Sequence, residues 1–355
     1  MRRFLYGEVH ILSKKSIFPP AAAVYIMRGI RKNREVVMVK IRATFLDEIS
    51  WDIPHQNWGV EEWDKDFAAM KAVGIDTVVM IRSGLERWTA YPSEYLHRTL
   101  GTAMPELDLV DLFLTLAEKY GMRFFFSTYC SRYYPEHGMW DKEIEINLEV
   151  VKEAWRMYGR RKAFQGWYLT HEISARLGKY VELYQKISRL CKELSGGLPM
   201  MISPWIKGNK VNSAWDPTLT KAGRQISPIE HEKEWRIILE QLRGLVDIVC
   251  FQDGQPDIFT LRDYLEINRK LCLEYGMDCW TNCESFDRDM PIKFLPIKWE
   301  KMLYKLRAAE SAGYTDAITF EFSHFMSPNS VYGAAHGLYK RYQEYLAAGD
   351  EGKIV

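Results

Sequence analysis

From residue 38 onward the chain repeats one pattern of apolar and polar positions. A short apolar run ends in polar residues, and a loop follows. Apolar residues then recur every three or four positions, and a glycine leads into the next run. The runs at 39–45, 77–81, 123–128, 164–169, 200–204, 247–251, 278–282 and 316–320 are predicted strands. They are mostly continuous rather than alternating apolar stretches, which suits parallel strands covered on both faces. Between them, Val60, Trp63, Phe67, Met70 and Val73 share one helical face, as do Leu109, Leu112, Phe113, Leu116 and Tyr120. Tyr180, Tyr184, Ile187, Cys191 and Leu194 make a third such stripe. Gly74, Gly121, Gly276 and Gly313 each fall between a helix and a strand, where a left-handed residue closes the helix. Eight such units with crossovers of one hand predict an α/β chain folded as a single (β/α)8 TIM barrel with elaborated βα loops. An open doubly wound sheet would carry a glycine-rich phosphate loop after its first strand. The first strand here exits through ATFLDEISWD, which contains no glycine.

Charge sets the boundaries. Over the 355 residues, 48 Lys+Arg face 47 Asp+Glu, a net charge of +1. Residues 1–37 carry eight basic residues against Glu8 and Glu35, so this stretch is +6 and the remainder −5. We expect a basic, poorly ordered extension over 1–37, the barrel over 38–348 and a short tail over 349–355. A near-neutral chain is not built around a nucleic-acid backbone, and no run approaches the roughly 20 apolar residues that span a bilayer. Neither nucleic acid nor membrane is therefore expected as a partner. The six cysteines are scattered without a C-x-x-C pair. That suits free thiols in a reducing, cytoplasmic compartment rather than a disulfide framework.

Barrel enzymes carry their chemistry at the C-terminal ends of the strands. Read in order, those ends present Asp47 and Glu48, Arg82, Tyr129, His171 and Glu172, Trp205, Gln252 and Asp253, Asn282 and Glu284, then Glu321 and His324. Five of the eight ends thus carry a carboxylate. Carboxylates converging on one mouth shift each other's pKa, so that one stays protonated while another stays ionised. Glycoside hydrolysis uses such a pair. Each acid also has a bland alternative as a helix cap or loop ion pair. The 48 aromatic residues sharpen the picture. Trp51, Trp58, Trp88, Trp140, Trp205 and Trp215 fall on loops after strands, beside Tyr129, Tyr133 and Tyr134, and Trp280 lies within the seventh strand. Flat apolar rings suit the C–H faces of sugars. Trp63, Trp155, Trp235 and Trp299 fall on helices and are expected in the core.

The segments HQNWGVEEWDKDFAAMKAVGIDTVVMIRSG, GWYLTHE, FQDG and CWTNCESF resemble a family of bacterial (β/α)8 barrels of unknown function that is often assigned to the glycoside hydrolases. The likeness runs from about Met38 to Leu346. The layout is also similar to the large clan of retaining glycosidase barrels, with a Glu after strand 4 and another at the end of strand 7. That clan places Asn before the strand-4 Glu, where this chain has His171. The resemblance implies a carbohydrate substrate, Glu172 as acid/base and Glu284 as nucleophile, and no cofactor or metal. Asp47, Arg82, Tyr129, His171, Trp205, Gln252, Asp253, Trp280, Asn282, Glu321 and His324 are the candidate sugar-binding residues. Two alternatives remain open at this point. One is a metal-dependent sugar isomerase or epimerase with ligands from Glu172, Asp253, Glu284, Glu321 and His324. The other is a catalytically silent carbohydrate-binding barrel.

Overall fold

The structure is a computed structural model that describes residues 38–51, 53–208, 225–288 and 294–350. The basic stretch 1–37, Trp215 and the last five residues lie outside the described part.

Eight parallel strands close into a barrel: β1 (Lys40–Leu46), β2 (Thr77–Met80), β5 (Arg123–Ser127), β7 (Phe164–Leu169), β8 (Met200–Ile202), β9 (Ile248–Gln252), β10 (Asp278–Asn282) and β13 (Asp316–Thr319). β1 pairs with both β2 and β13, which closes the ring. All eight predicted strands are present, within two residues at each end. The intervening helices α1 (Val60–Ala72), α3 (Leu109–Tyr120), α5 (Trp140–Tyr158), α6 (Tyr180–Ser195), α7 (Pro228–Leu242), α8 (Leu261–Glu274), α9 (Trp299–Ser311) and α11 (Gly333–Asp350) complete the eight units. Gly74, Gly121, Gly276 and Gly313 all have φ between 63° and 86°, the left-handed closure their positions imply.

Two apolar layers hold the fold. Ala43, Phe45, Val79, Ile81, Phe125, Tyr168, Met201, Ile248, Cys250 and Ile318 fill the barrel interior. The opposite strand faces join the helices in the larger outer cluster, which includes Trp63, Trp167 and Trp235. At position 166 the backbone of β7 lies against the ring of Phe125, where a Cβ has no room. Among the described residues no helix is long and apolar enough to cross a membrane. All six cysteines are free thiols.

The loops carry structure of their own. β3 (Gly84–Leu85) and β4 (Trp88–Thr89) follow β2, and β6 (Tyr129–Cys130) follows β5; the three form a small separate sheet. β11 (Phe286–Asp287) pairs with β12 (Leu295–Pro296) after β10. The remaining helices are α2 (Glu94–Leu100), α4 (Tyr133–Glu136) and α10 (Phe322–Phe325).

Candidate active site

Strand ends at the C-terminal face line a deep cavity of about 120 Å³. Its floor is apolar: Phe45, Ile81 and Phe320, with Phe286 and Phe294 as a side wall. Its polar groups are Asp47, Ser50, Arg82, Glu172, Gln252, Asn282, Glu284 and Arg288. Ser50, Arg82 and Glu172 also line a neighbouring cavity of about 280 Å³, with Trp51, Arg132, His171 and Tyr180. The two spaces therefore meet at Glu172, whereas Glu284 lines the deep one.

The two glutamates sit in different surroundings. Both Glu284 oxygens accept from Arg288, Nε to Oε2 at 2.7 Å and Nη2 to Oε1 at 2.7 Å. Such a bidentate, charge-assisted pair fixes the orientation of the side chain. The backbone of Glu284 is fixed as well. Its N–H donates to Asp253 Oδ1 at 3.1 Å, and its carbonyl accepts from Lys305 Nζ at 2.7 Å. Gly254 lies so close to this carboxylate that a Cβ there would overlap it. Glu172 has no such clamp. Burial pushes its pKa up, and the nearby negative Glu284 adds to this; Arg82, a hydrogen bond from Gln252, and Arg288 oppose the rise. Glu284 is tied into a charge-assisted pair while Glu172 is biased toward keeping its proton, an asymmetry of the kind that two-carboxylate chemistry uses.

The other polar groups order this pair. Asp47 Oδ1 accepts from the N–H groups of Ile49 and Ser50, which folds the loop after β1 into a turn. Arg82 donates to Ser50 Oγ at 2.6 Å and lies 3.9 Å from Asp47 Oδ2. Burial works against the charge of Arg82, but Glu172 and Asp47 outweigh it and keep it cationic. Gln252 Nε2 donates to the Ser203 carbonyl, and Asn282 bridges Ser203 Oγ and the Phe320 N–H. His171 Nε2 is 2.7 Å from Glu143 Oε1, and Glu143 also accepts from the N–H and hydroxyl of Ser131.

Not every residue proposed from the sequence meets the cleft. Asp253 lies behind Glu284, paired with Lys305 at 2.6 Å, and burial raises its pKa to about 6 against that lysine. Trp280 packs against the barrel interior beside Cys250, two residues below Asn282. Trp205 forms a parallel bridge with Gln252 and lines neither cavity. Tyr129 spends its hydroxyl on the Glu86 carbonyl and lines neither of these two cavities, only the space beyond them. Of the loop tryptophans, Trp51 lines the cleft, while Trp58 packs on Trp63 and Trp140 on Tyr180. The metal-ligand set Glu172, Asp253, Glu284, Glu321 and His324 does not converge, because Asp253 and Glu284 hold their own cations and the last two lie in a separate cluster. Among the described residues, Cys130, Glu143 and His171 bring possible ligand atoms within 4.8 Å of one another. Glu143 is already saturated by Ser131 and His171, and burial raises the Cys130 thiol to about 11, a poor start for a metal thiolate.

Glu321 caps α10, accepting from the N–H groups of Ser323 and His324, and its carboxylate contacts His324 Nδ1. His324 Nε2 lies 3.7 Å from Glu48. Asp66 of α1, fully buried, ties the same turn through Ser323 and Ser327. Burial opposes protonation of His324, yet Glu321, Glu48 and Asp47 raise its pKa from 6.5 to about 9; burial raises Glu48 and Asp66 to about 7. A group whose folded pKa is raised stabilises the fold fully below its unfolded pKa and loses that contribution as pH climbs through the folded value. The His324 contribution is thus present below pH 6.5 and lost through about pH 9. The thermal midpoint is expected to fall over that window, from a contribution of up to about 3 kcal/mol. His324→Gln should flatten the slope, and identical slopes in both proteins would contradict the pairing.

A family model matches residues 41–332, under the description domain of unknown function, DUF4434. The chain belongs to the DUF4434 family. A Bacteroides thetaiotaomicron structure named as a "putative alpha-L-fucosidase" is 49% identical, with 92% of this chain and 99% of that one covered and a TM-score of 0.81. The endo-β-1,4-mannanase from Thermotoga petrophila is 12% identical, with coverage of 89% and 78% and a TM-score of 0.56. A second mannanase structure from that organism gives 10% identity, coverage of 87% and 99%, and a TM-score of 0.55. At these identities the mannanases share the barrel fold with this DUF4434 chain. No curated protein matches it.

Proposed function

We propose that this DUF4434 barrel is a glycoside hydrolase working by a two-carboxylate mechanism, with Glu172 as general acid/base and Glu284 as nucleophile. The observation that carries the reading is the contrast between the two acids of the deep cavity. Glu284 is clamped at both oxygens by Arg288, and Glu172 is half-buried with a raised pKa. In the first step the Glu172 proton goes to the glycosidic oxygen as the bond to the anomeric carbon breaks, and a Glu284 oxygen bonds that carbon. In the second step Glu172 removes a proton from water, which displaces Glu284. Arg82, Gln252 and Asn282 would hold sugar hydroxyls against the apolar floor.

The 49% identical relative carries a fucosidase name, so α-L-fucosides are the first substrates to test. The test is a panel of 4-nitrophenyl glycosides that includes the α-L-fucoside and β-D-mannoside, together with natural oligosaccharides. Proton NMR follows the anomer released first. Hydrolysis with retained configuration is the expected result. Inversion would assign Glu284 as a base instead, and no cleavage of any glycoside would sink the reading.

A further inference from the structure

The cleft does not stop at the cavity beyond Glu172. Arg132 and Glu136 line both that space and a third, outer cavity of about 500 Å³. The outer cavity is walled by Tyr133 and Tyr134 of α4 and by Glu86 and Arg87 of the β3–β4 turn. Three spaces thus run in series: deep, middle and outer. Glu172 stands at the first junction and Arg132 at the second.

The junction residue is built rather than incidental. The Arg132 guanidinium lies over the Trp51 ring at 5.1 Å and pairs with Glu86 at 3.3 Å and Glu136 at 3.7 Å. Trp51 is 64% exposed, a large apolar face left to solvent in the middle cavity. Arg132 has φ +55° and Glu86 φ +53°, conformations that side-chain-bearing residues rarely adopt. Phe294, on the wall of the deep cavity, has φ +58°. Three of the four non-glycine residues with positive φ among the described residues therefore line this one series of cavities; Asn57 is the fourth. Backbone strain of this kind persists where the surrounding structure holds it for a purpose.

We infer that the natural substrate is an oligosaccharide whose leaving-group side extends over at least two further sugar units, through the middle cavity and into the outer one. This rests on the assignment of Glu172 as proton donor. The donor must reach the oxygen that joins the two halves of the substrate, so the glycone belongs in the deep cavity and the leaving group on the other side of Glu172. The exposed face of Trp51 and the ring of Tyr180 offer stacking surfaces in the middle cavity. Tyr133, Tyr134 and the guanidinium of Arg132 offer a further platform and hydrogen-bond donors in the outer one. A small alkyl or aryl aglycone would leave that last space unused.

Two measurements test this on the full-length protein. The first compares kcat/KM on the 4-nitrophenyl glycoside that is cleaved with values on oligosaccharides ending in the same sugar and carrying one, two and three leaving-group units. We expect a rise through the second unit and then a plateau. Tyr134→Ala should cost about tenfold on the longer chains, the scale of one lost hydrogen bond or stacking contact, and much less on the aryl glycoside. The second measures binding of Glu284→Gln to an array of immobilised glycans, with and without Tyr134→Ala. Rates that stay flat beyond the first unit, or equal losses on both substrate types, overturn the inference and leave the hydrolase reading intact. Array binding that depends on Tyr134, in a wild-type protein that cleaves nothing, keeps the extended site and removes the hydrolase reading. Neither cleavage nor Tyr134-dependent binding removes both.

Discussion

Glu284→Gln is expected to lower kcat/KM on the cleaved aryl glycoside by about 10³-fold or more, the scale seen when a nucleophile or its base is removed. The substitution keeps the shape of the side chain and removes its charge, so Arg288 loses its anionic partner while the cavity keeps its volume. Removal of the carboxylate altogether, as Glu284→Ala, leaves room for a small external nucleophile. Azide should then restore turnover and yield a glycosyl azide. Glu172→Gln should behave differently. Its loss should be large for a poor leaving group, which needs a proton, and small in the first step for a dinitrophenyl glycoside, which does not. The raised pKa of Glu172 also places the alkaline limb of the wild-type profile above the ordinary carboxylate range: activity falls as the acid loses its proton, and Glu172→Gln should lack that limb. Full activity in both Gln variants would refute the pair.

Lys305→Met is expected to be the most destabilising single change near the site. Lys305 is buried on α9 and holds two anionic or polar partners, Asp253 Oδ1 at 2.6 Å and the Glu284 carbonyl at 2.7 Å. Without it, Asp253 is left buried with no cation, which costs about 3–5 kcal/mol where one partner of a buried pair is removed. Asp253 would then take up a proton, so the loss should be greatest at high pH. The double variant Lys305→Met/Asp253→Asn removes both charges and should recover part of the stability. A chemical denaturation series on the wild type, Lys305→Met, Asp253→Asn and the double variant measures the coupling. Additive losses would show that the two charges do not depend on each other.

The architecture was legible because its signal is repeated. Eight apolar runs, three clear helical stripes and four closing glycines each support the others, and strand ends could be named to within two residues. The convergence of residues from strands 1, 2, 4, 6 and 7 on one cavity follows directly from that order. What escaped lies where one residue must be placed by long-range packing. Arg288 directly follows the short strand β11, and nothing in ESFDR says that its side chain turns back onto Glu284. Glu321 and His324 follow a strand end as catalytic groups would, but the turn into α10 takes up the Glu321 carboxylate, which accepts from two backbone N–H groups and contacts His324 Nδ1. Asp253 looked like a sugar ligand because the lysine that claims it is 52 residues away.

A subtler signal was present in the helices. Asp66 follows Trp63 and precedes Phe67 and Met70 on the buried face of α1. Glu143 shares the buried face of α5 with Asn147, Val150 and Ala154, and Lys305 shares that of α9 with Met302, Leu306 and Ala309. A charged residue in the middle of an apolar stripe has to find a partner inside the protein. Each of these three does so at or behind a strand exit: Asp66 at the α10 turn, Glu143 at His171, and Lys305 at Glu284. Charges that interrupt an otherwise regular stripe are thus pointers to the supports of the mouth, even when the strand-end residues they support are already known.

The small sheet of β3, β4 and β6 bears on how the mouth works. It stitches the loops after two neighbouring barrel strands to each other, with Ser83 N–H donating to the Thr128 carbonyl at 3.1 Å and Glu86 N–H to the Cys130 carbonyl at 3.0 Å. Gly84 makes room for the Tyr129 ring at the seam. Loops that would otherwise bond to water and swing independently are here one panel, and neither can shift without breaking strand pairing. On this side the entrance works as a fixed jamb rather than a door: discrimination among incoming chains falls to the side chains mounted on it, and new preferences would arise by exchanging those side chains, not by lengthening the loops.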